Sequence, residues 1–162
     1  MKKILVLGCT GSIGTSTLNI VRSMPEDFSI CGLTAHNNEK SLNFLSNEFS
    51  CDSVLTSKDG IEAIEALIQK TNPDIVVNGI AGAAGLLPSK ITIECGKKLA
   101  LANKETVVMA WPLIKELAFN KDAEIIPVDS EHSAIFSLIN QVGRNNIKNV
   151  IITASGGPFR TL

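Results

Sequence analysis

No sign of charge predominates in this chain of 162 residues. Its 15 lysine and arginine residues are matched by 16 aspartate and glutamate residues, which leaves a formal net charge of −1 at pH 7. A protein that binds nucleic acid or a membrane surface through long-range attraction needs an excess of basic residues, so this balance argues against both classes. Any anion that the chain binds must be held by local groups.

Long apolar runs and paired cysteines are also missing. The apolar run that follows Lys2 and Lys3 is short and ends in glycines, so it is neither a signal peptide nor a membrane-spanning helix, and we expect a cytoplasmic protein. The cysteines lack C-x-x-C spacing, which favours buried free thiols over disulfides or a zinc site. They are Cys9, Cys31, Cys51 and Cys95.

Apolar runs alternate with helical patterns along the chain. This alternation predicts an α/β fold with a Rossmann-like, doubly wound and mostly parallel sheet. We predict strands over residues 2–7, 28–34, 53–56, 74–78, 98–102, 124–128 and 148–154. We predict helices over 12–24, 38–49, 59–70, 105–119 (kinked at Trp111-Pro112) and 133–141, and a further helix that ends at Glu94.

A glycine loop, Gly-Cys-Thr-Gly-Ser-Ile-Gly at residues 8–14, follows the first predicted strand. Glycines let the backbone approach a pyrophosphate, and the next helix offers unpaired N–H groups to the anion. A dinucleotide cofactor is therefore the first hypothesis. The glycines are three apart, whereas the G-x-G-x-x-G pattern needs a glycine at Cys9, so an ordinary tight turn between strand and helix stays open.

Polar residues follow three later strands, at 103–105, 129–132 and 155–158. Because the carboxyl ends of parallel strands meet at one edge of a sheet, we expect all three groups at one rim. The first group has a structural alternative, since Asn is a common helix N-cap and Glu favours the first helical turn. The third forms either an anion-holding backbone nest or a simple turn. The glycine-rich stretch 79–88 is either a ligand loop or a close contact between helix and strand.

The second polar group contains two carboxylates, Asp129 and Glu131. If residues 127–131 are extended, side chains two apart point the same way and the carboxylates converge. Hard oxygen ligands suit Mg²⁺ or Mn²⁺. The alternative is an ordinary helix entry in which Asp129 or Ser130 is the N-cap.

Five segments, in order, resemble one family, 1-deoxy-D-xylulose 5-phosphate reductoisomerase, the NADPH-dependent enzyme of the non-mevalonate isoprenoid pathway. The resemblance covers the whole chain, and five matches in the same order are specific. The segments are residues 8–14, 82–88, 101–105, 127–132 and 155–160.

The resemblance implies a role for each matched residue. Thr10, Gly11, Ser12 and Ile13 hold the cofactor pyrophosphate, Asn38 contributes to cofactor binding, and Asn103 and Glu105 reach the ribose beside the nicotinamide. Lys104, Ser130, Glu131 and Ser155 contact the sugar phosphate substrate, with Lys104 and Glu131 as catalytic residues. Asp129 and Glu131 are the implied ligands of Mn²⁺ or Mg²⁺.

The reaction that the resemblance implies is a metal-assisted rearrangement of 1-deoxy-D-xylulose 5-phosphate, followed by hydride transfer from NADPH, to give 2-C-methyl-D-erythritol 4-phosphate. The enzymes of this family are homodimers. The metal acts as a Lewis acid on substrate oxygens, and the protein aligns the hydride donor.

The choice of cofactor can be read separately. An NAD-selecting site usually has an acidic residue at the end of the second strand, and none stands there in this chain, which favours NADPH. The family often has glycine and lysine where this chain has His36 and Asn37. Asn38 matches the family, with Lys40 or protonated His36 as the compensating cation, and Asn37→Lys is expected to tighten NADPH binding.

Members of the resembled family are more than twice as long as this chain. We therefore expect residues 1–126 to be the cofactor domain and 127–162 the start of an α+β catalytic domain. The family's third metal-binding glutamate, its substrate-phosphate histidine, its lid and its C-terminal helical domain have no counterpart here. The chain alone is expected to bind cofactor at best. The alternatives are another NAD(P)-dependent dehydrogenase or a non-catalytic nucleotide-binding remnant.

Overall fold

The computed structural model describes residues 1–151, which contain a six-stranded sheet in the order β3-β2-β1-β4-β5-β6 with all pairs parallel. The strands are β1 (Lys2–Leu7), β2 (Phe28–Ala35), β3 (Asp52–Leu55), β4 (Ile75–Asn78), β5 (Lys98–Leu101) and β6 (Ile125–Pro127). The helices are α1 (Ser12–Ser23), α2 (Glu39–Phe49), α3 (Thr56–Asp59), α4 (Ala63–Thr71), α5 (Leu86–Glu94), α6 (Lys104–Asn120) and α7 (Ser130–Val142), with 3₁₀ turns at Ala83–Gly85 and Arg144–Asn146. The predicted α/β fold with a doubly wound parallel sheet is confirmed.

Helices cover the sheet on both faces. Along β1, Leu5 and Leu7 contact one apolar cluster while Val6 belongs to another, and all three are fully buried. Because successive side chains of a strand point to opposite faces, this pattern requires a layer of helices on each side. Leu18 and Leu42 pack on the face of Val6. A third cluster lies around β5 and α6.

The strand register brings the functional loops to one edge. Leu7 pairs with Thr34 on one side and with Asn78 on the other, and Leu101 pairs with both Asn78 and Pro127. The segments that follow these strand ends therefore leave the sheet at the same rim. The chain order reverses at β1, between β2 and β4, and open α/β sheets bind ligands at such a switch point.

Several predicted boundaries differ from the structure. The helix predicted over 59–70 is two helices, α3 and α4, because Gly60 has φ +79 and interrupts them. The third strand is Asp52–Leu55, and the last helix begins at Ser130 instead of 133. The kink predicted in α6 is confirmed, since Ala110 has non-helical angles (φ −145, ψ 19) two residues before Pro112. No strand starts within 148–151, and the rest of that predicted strand lies outside the described residues.

Candidate functional site

The glycine loop turns sharply between β1 and α1. Gly8 has φ +78, and its N–H group donates to the carbonyl oxygen and to Oγ1 of Thr34, each at 3.1 Å. The N–H of Gly11 donates to the Gly8 carbonyl at 3.1 Å, and its own carbonyl accepts from Thr15 at 2.9 Å. A Cβ atom on Gly14 would lie 2.4 Å from the Gly8 carbonyl oxygen. The turn itself therefore requires glycine at positions 8 and 14.

Gly11 stands in a different situation. Its φ is −83, which any residue adopts, and an added Cβ would approach the Gly8 carbonyl oxygen only to 3.4 Å, an ordinary contact. Gly11 is also the N-cap of α1, which has neither a side-chain cap nor an acidic residue in its first turn. The helix thus presents free N–H groups and a positive dipole end beside a residue with no side chain, which is the arrangement that admits a phosphate.

Two openings flank this loop. The first, which we call the loop cavity, has a volume of about 490 Å³ and is lined by Thr10, Gly11, the end of β2, the start of α3 and Gly79-Ile80. The second, the α1–α2 groove, has a volume of about 540 Å³ and is lined by Thr10, Asn38 and Lys40 among others. The structure therefore places Thr10, Gly11 and Asn38 around one loop, while Ser12 and Ile13 begin α1.

The glycine-rich stretch 79–85 is clamped by two buried asparagines. Asn78 donates from Nδ2 to the Gly85 carbonyl and to Oγ of Ser89, both at 2.8 Å, and accepts from the N–H of Ile80 at 3.1 Å. Asn103 donates from Nδ2 to the carbonyls of Ile80 and Gly82, both at 2.8 Å. Asn78 is fully buried. The clamp fixes the loop at the edge of the sheet.

Sequence reasoning missed Asn78. The feature that could have identified it is an amide side chain at the end of the aliphatic strand Ile75–Asn78. A buried amide without hydrogen bonds is costly, so this position predicts polar partners nearby. Of the two roles that the sequence left open for Asn103, the structure contains the helix N-cap. Its Oδ1 caps α6 by accepting from the N–H of Thr106 at 2.7 Å, while its Nδ2 holds the loop and contacts Oε2 of Glu105 at 3.2 Å.

A further cavity, which we call the rim cavity, lies between β6, α6 and α7 and has a volume of about 410 Å³. Its polar lining brings together Asn103, Lys104, Asp129 and His132, and its apolar lining includes Trp111. The polar groups at 103–105 and 129–132, which were expected at one rim of the sheet, therefore lie together at this cavity. The third, which contains Ser155, lies outside the described residues.

Asp129 is the N-cap of α7. Its Oδ1 accepts from the backbone N–H of His132 and lies 2.8 Å from the Nδ1 of the same residue. Burial opposes the charged form of this carboxyl, but the hydrogen bonds from His132 outweigh it and hold the pKa of Asp129 below its usual value. Of the two alternatives for this segment, the structure contains the helix entry.

The expected convergence of Asp129 and Glu131 is wrong in its geometry. Asp129 is extended (φ −67, ψ 159), but Ser130 and Glu131 already belong to the first turn of α7, because the capping bond starts the helix there. Glu131 is exposed, and its Oε2 accepts from Oγ of Ser130 at 2.9 Å. Within residues 1–151 no group of three His, Cys, Asp or Glu side chains could hold a metal ion.

The four cysteines are free thiols, as predicted. Cys9 is fully buried within the glycine loop, and burial raises its pKa to about 11. Burial likewise raises the pKa of Cys51 to about 12. A thiol is nucleophilic only as its thiolate, so Cys9 supplies packing beside the loop and not a reactive group.

Comparison with known proteins relates the chain to one family. The model of 1-deoxy-D-xylulose 5-phosphate reductoisomerase matches residues 4–60 and 55–111, and the model of that enzyme's C-terminal domain matches residues 125–162. The two segments of the first match overlap at residues 55–60, where β3 meets α3.

Relatives of that description include the 1-deoxy-D-xylulose 5-phosphate reductoisomerases of Treponema denticola (46% identical, covering 98% of this chain) and Treponema pallidum (42% identical, covering 99%). The chain spans 44% of the length of each. Among solved structures, the enzyme from Zymomonas mobilis in complex with NADPH has a TM-score of 0.83 at 34% identity, covering 99% of this chain and 47% of that one. A DOX-P reductoisomerase with NADPH, fosmidomycin and magnesium has a TM-score of 0.76 at 33% identity, covering 85% and 38%.

Among the described residues, no helix combines the length and the apolar character that crossing a membrane requires.

Proposed function

The chain belongs to the 1-deoxy-D-xylulose 5-phosphate reductoisomerase family, and on that premise we propose that it forms the NADPH-binding part of such an enzyme. Residues 1–126 are the cofactor domain in this proposal, and residues 127–162 begin the catalytic domain. The observation that carries it is Gly11, because the fold tolerates a side chain there but an approaching phosphate does not. The absence of a side chain at Gly11 leaves room for a phosphate, and the uncapped N-terminus of α1 beside it carries a partial positive charge.

The positions of the loop, α1 and the asparagine clamp support the proposed cofactor contacts. Thr10, Gly11, Ser12 and Ile13 would hold the pyrophosphate through the loop and the first N–H groups of α1. Asn38 lines the adjacent groove. Asn103 and Glu105, which contact each other, would lie beside the nicotinamide ribose, where the loop 79–85 is fixed by the asparagine clamp.

The rim cavity would hold the sugar phosphate. Lys104 places a cation there that suits an anionic substrate, and Asp129 contributes a carboxylate. The carboxylate oxygens of Asp129 and Glu131 are of the kind that Mg²⁺ and Mn²⁺ prefer, and Ser130 and Ser155 complete the proposed substrate contacts. When bound, NADPH supplies a hydride and the metal supplies Lewis-acid polarisation of substrate oxygens.

For the whole enzyme we propose conversion of 1-deoxy-D-xylulose 5-phosphate to 2-C-methyl-D-erythritol 4-phosphate. The chain by itself is a cofactor-binding unit in this proposal, since Asp129 and Glu131 are only two metal donors. We also propose a homodimer in the cytoplasm for the whole enzyme. The exposed apolar side chains of α6 support burial against further protein, and they include Val108, Leu113 and Phe119.

Calorimetric titration of the purified 162-residue chain with NADPH tests this proposal. We expect saturable binding of one NADPH per chain, and no turnover when Mn²⁺ and 1-deoxy-D-xylulose 5-phosphate are added. Absence of NADPH binding contradicts the cofactor domain. Measured turnover contradicts the proposal that this chain alone only binds cofactor, because it would mean that the chain holds a complete catalytic site.

A further inference from the structure

The loop cavity has no lining residue of fixed charge. Among the described residues that line it, none is Asp, Glu, Lys or Arg, and His36 is the titratable one. Dinucleotide sites of this class usually select NAD with a carboxylate on the ribose 2′-hydroxyl, or NADP with a cation on the 2′-phosphate. At the end of β2, the imidazole of His36 stands in this cavity where such a carboxylate or cation is expected.

His36 is held by the start of α3. Its Nδ1 lies 3.1 Å from Oγ1 of Thr56, and its carbonyl accepts from the N–H of Ser57 at 3.2 Å. Oγ1 of Thr56 lies 3.4 Å from the carbonyl of Ala35, to which it donates. A threonine hydroxyl has one proton, so we assign the shared proton of the His36–Thr56 contact to Nδ1. The Nε2 of the neutral ring is then a hydrogen-bond acceptor.

The charged side chains of α2 and α3 near His36 bind other residues or line a different opening. Lys58 of α3 pairs with Glu39 of α2 at 2.8 Å, and Asp59 accepts from the N–H of Leu55 at 2.8 Å. Lys40 lines the α1–α2 groove. Thr56 also lines the loop cavity, so the residue that holds His36 belongs to the same wall of that cavity.

We infer that His36, oriented by Thr56, sets the preference for the cofactor ribose and lets this site accept NADH as well as NADPH. The neutral Nε2 accepts a hydrogen bond from the 2′-hydroxyl of NADH. The 2′-phosphate of NADPH is itself an acceptor, so it gains no hydrogen bond from this Nε2. This inference rests on the proposed function of the loop as a dinucleotide site.

The test is a pair of titrations, with NADPH and with NADH, on the purified chain at one neutral pH. We expect the two dissociation constants to agree within about tenfold. Thr56→Val removes the partner of Nδ1 and lets the neutral ring carry its proton on Nε2, which donates to a phosphate. We expect this variant to shift the ratio of the two constants about fivefold toward NADPH, the size of one hydrogen bond, and Thr56→Ser to leave it unchanged.

Asn37→Lys supplies a fixed cation and is the positive control, expected to shift the ratio at least about tenfold toward NADPH. An unaltered melting temperature in each variant excludes a change of fold. A wild-type chain that prefers NADPH more than about hundredfold, or a ratio unchanged in Thr56→Val, overturns the inference while the proposed function stands. Binding of neither cofactor contradicts both.

Discussion

Gly14 faces the carbonyl oxygen of Gly8 so closely that a Cβ atom on Gly14 would lie 2.4 Å from it. The same construction at Gly11 gives 3.4 Å to the same oxygen. Two glycines of one loop are therefore present for different reasons. Gly14 lets α1 pack against the turn, whereas Gly11 keeps the outer side of the loop bare.

Gly14→Ala is expected to destabilise the chain. Its methyl group would meet the backbone of Gly8 and Cys9, which cannot move aside as a flexible side chain would, and overpacking of this kind costs about 1–3 kcal/mol. Urea denaturation followed by circular dichroism measures the loss. An unfolding midpoint equal to that of the wild type would show that the loop is looser than the structure describes.

Asn78→Ala is expected to lower the free energy of unfolding by about 2–3 kcal/mol. The substitution leaves the N–H of Ile80 without its partner and removes one of the two hydrogen bonds that the Gly85 carbonyl accepts, the other coming from Oγ of Ser89, and unpaired buried polar groups are costly. Asn43→Ala, at an exposed position of α2, is the matched control and should stay within about 0.5 kcal/mol of the wild type. Equal losses in the two variants would argue against the clamp.

Much of the fold follows from local pattern. Leu5, Val6 and Leu7 are consecutive aliphatics, which predicts a central strand covered on both faces, and Pro25 ends α1 where expected. The split at Gly60 was not predicted, because the apolar spacing of Ile61 and Ile64 continues the helical period across it. Periodicity records which face is buried but not where a backbone turns.

The site was predicted less completely. The positions of Asn103, Lys104 and Asp129 on one rim follow from parallel topology, since every strand delivers its end to the same edge. The clamp by Asn78 was not predicted, because its partners are the Gly85 carbonyl, Oγ of Ser89 and the N–H of Ile80, in a following loop whose path the sequence does not reveal. The roles of the site residues as ligands of cofactor, substrate or metal stay predictions.

Asp129→Asn and Asp129→Ala separate the two roles of that residue. Asparagine is as good an N-cap as aspartate, so Asp129→Asn should unfold within about 0.5 kcal/mol of the wild type, while Asp129→Ala should lose about 1 kcal/mol. Both variants lack the carboxylate and should bind Mn²⁺ more weakly, as followed by electron paramagnetic resonance. Undiminished Mn²⁺ binding in Asp129→Asn would remove this residue from the proposed metal site.

The lowered pKa of Asp129 predicts a pH dependence of stability. A carboxyl whose pKa is lower in the folded state stabilises it above the unfolded value, about 3.9, and this contribution is lost as pH falls through the folded pKa. Between about pH 5 and pH 2, the wild type should therefore lose more stability than Asp129→Asn. Parallel urea midpoints of the two chains over this interval would contradict the assignment.

NADPH binding to Gly11→Ala tests the central claim most directly. The fold has room for this methyl group, but alanine is a poorer N-cap than glycine, and the group occupies the side of the loop from which a pyrophosphate approaches. We therefore expect a loss of stability of about 1 kcal/mol or less and NADPH affinity at least about tenfold weaker. Gly96→Ala is the matched control. Gly96 has φ +64 at a turn after α5, so this variant should lose about 1 kcal/mol of stability and keep its NADPH affinity. Equal NADPH affinity in Gly11→Ala and the wild type would contradict a phosphate site at this loop.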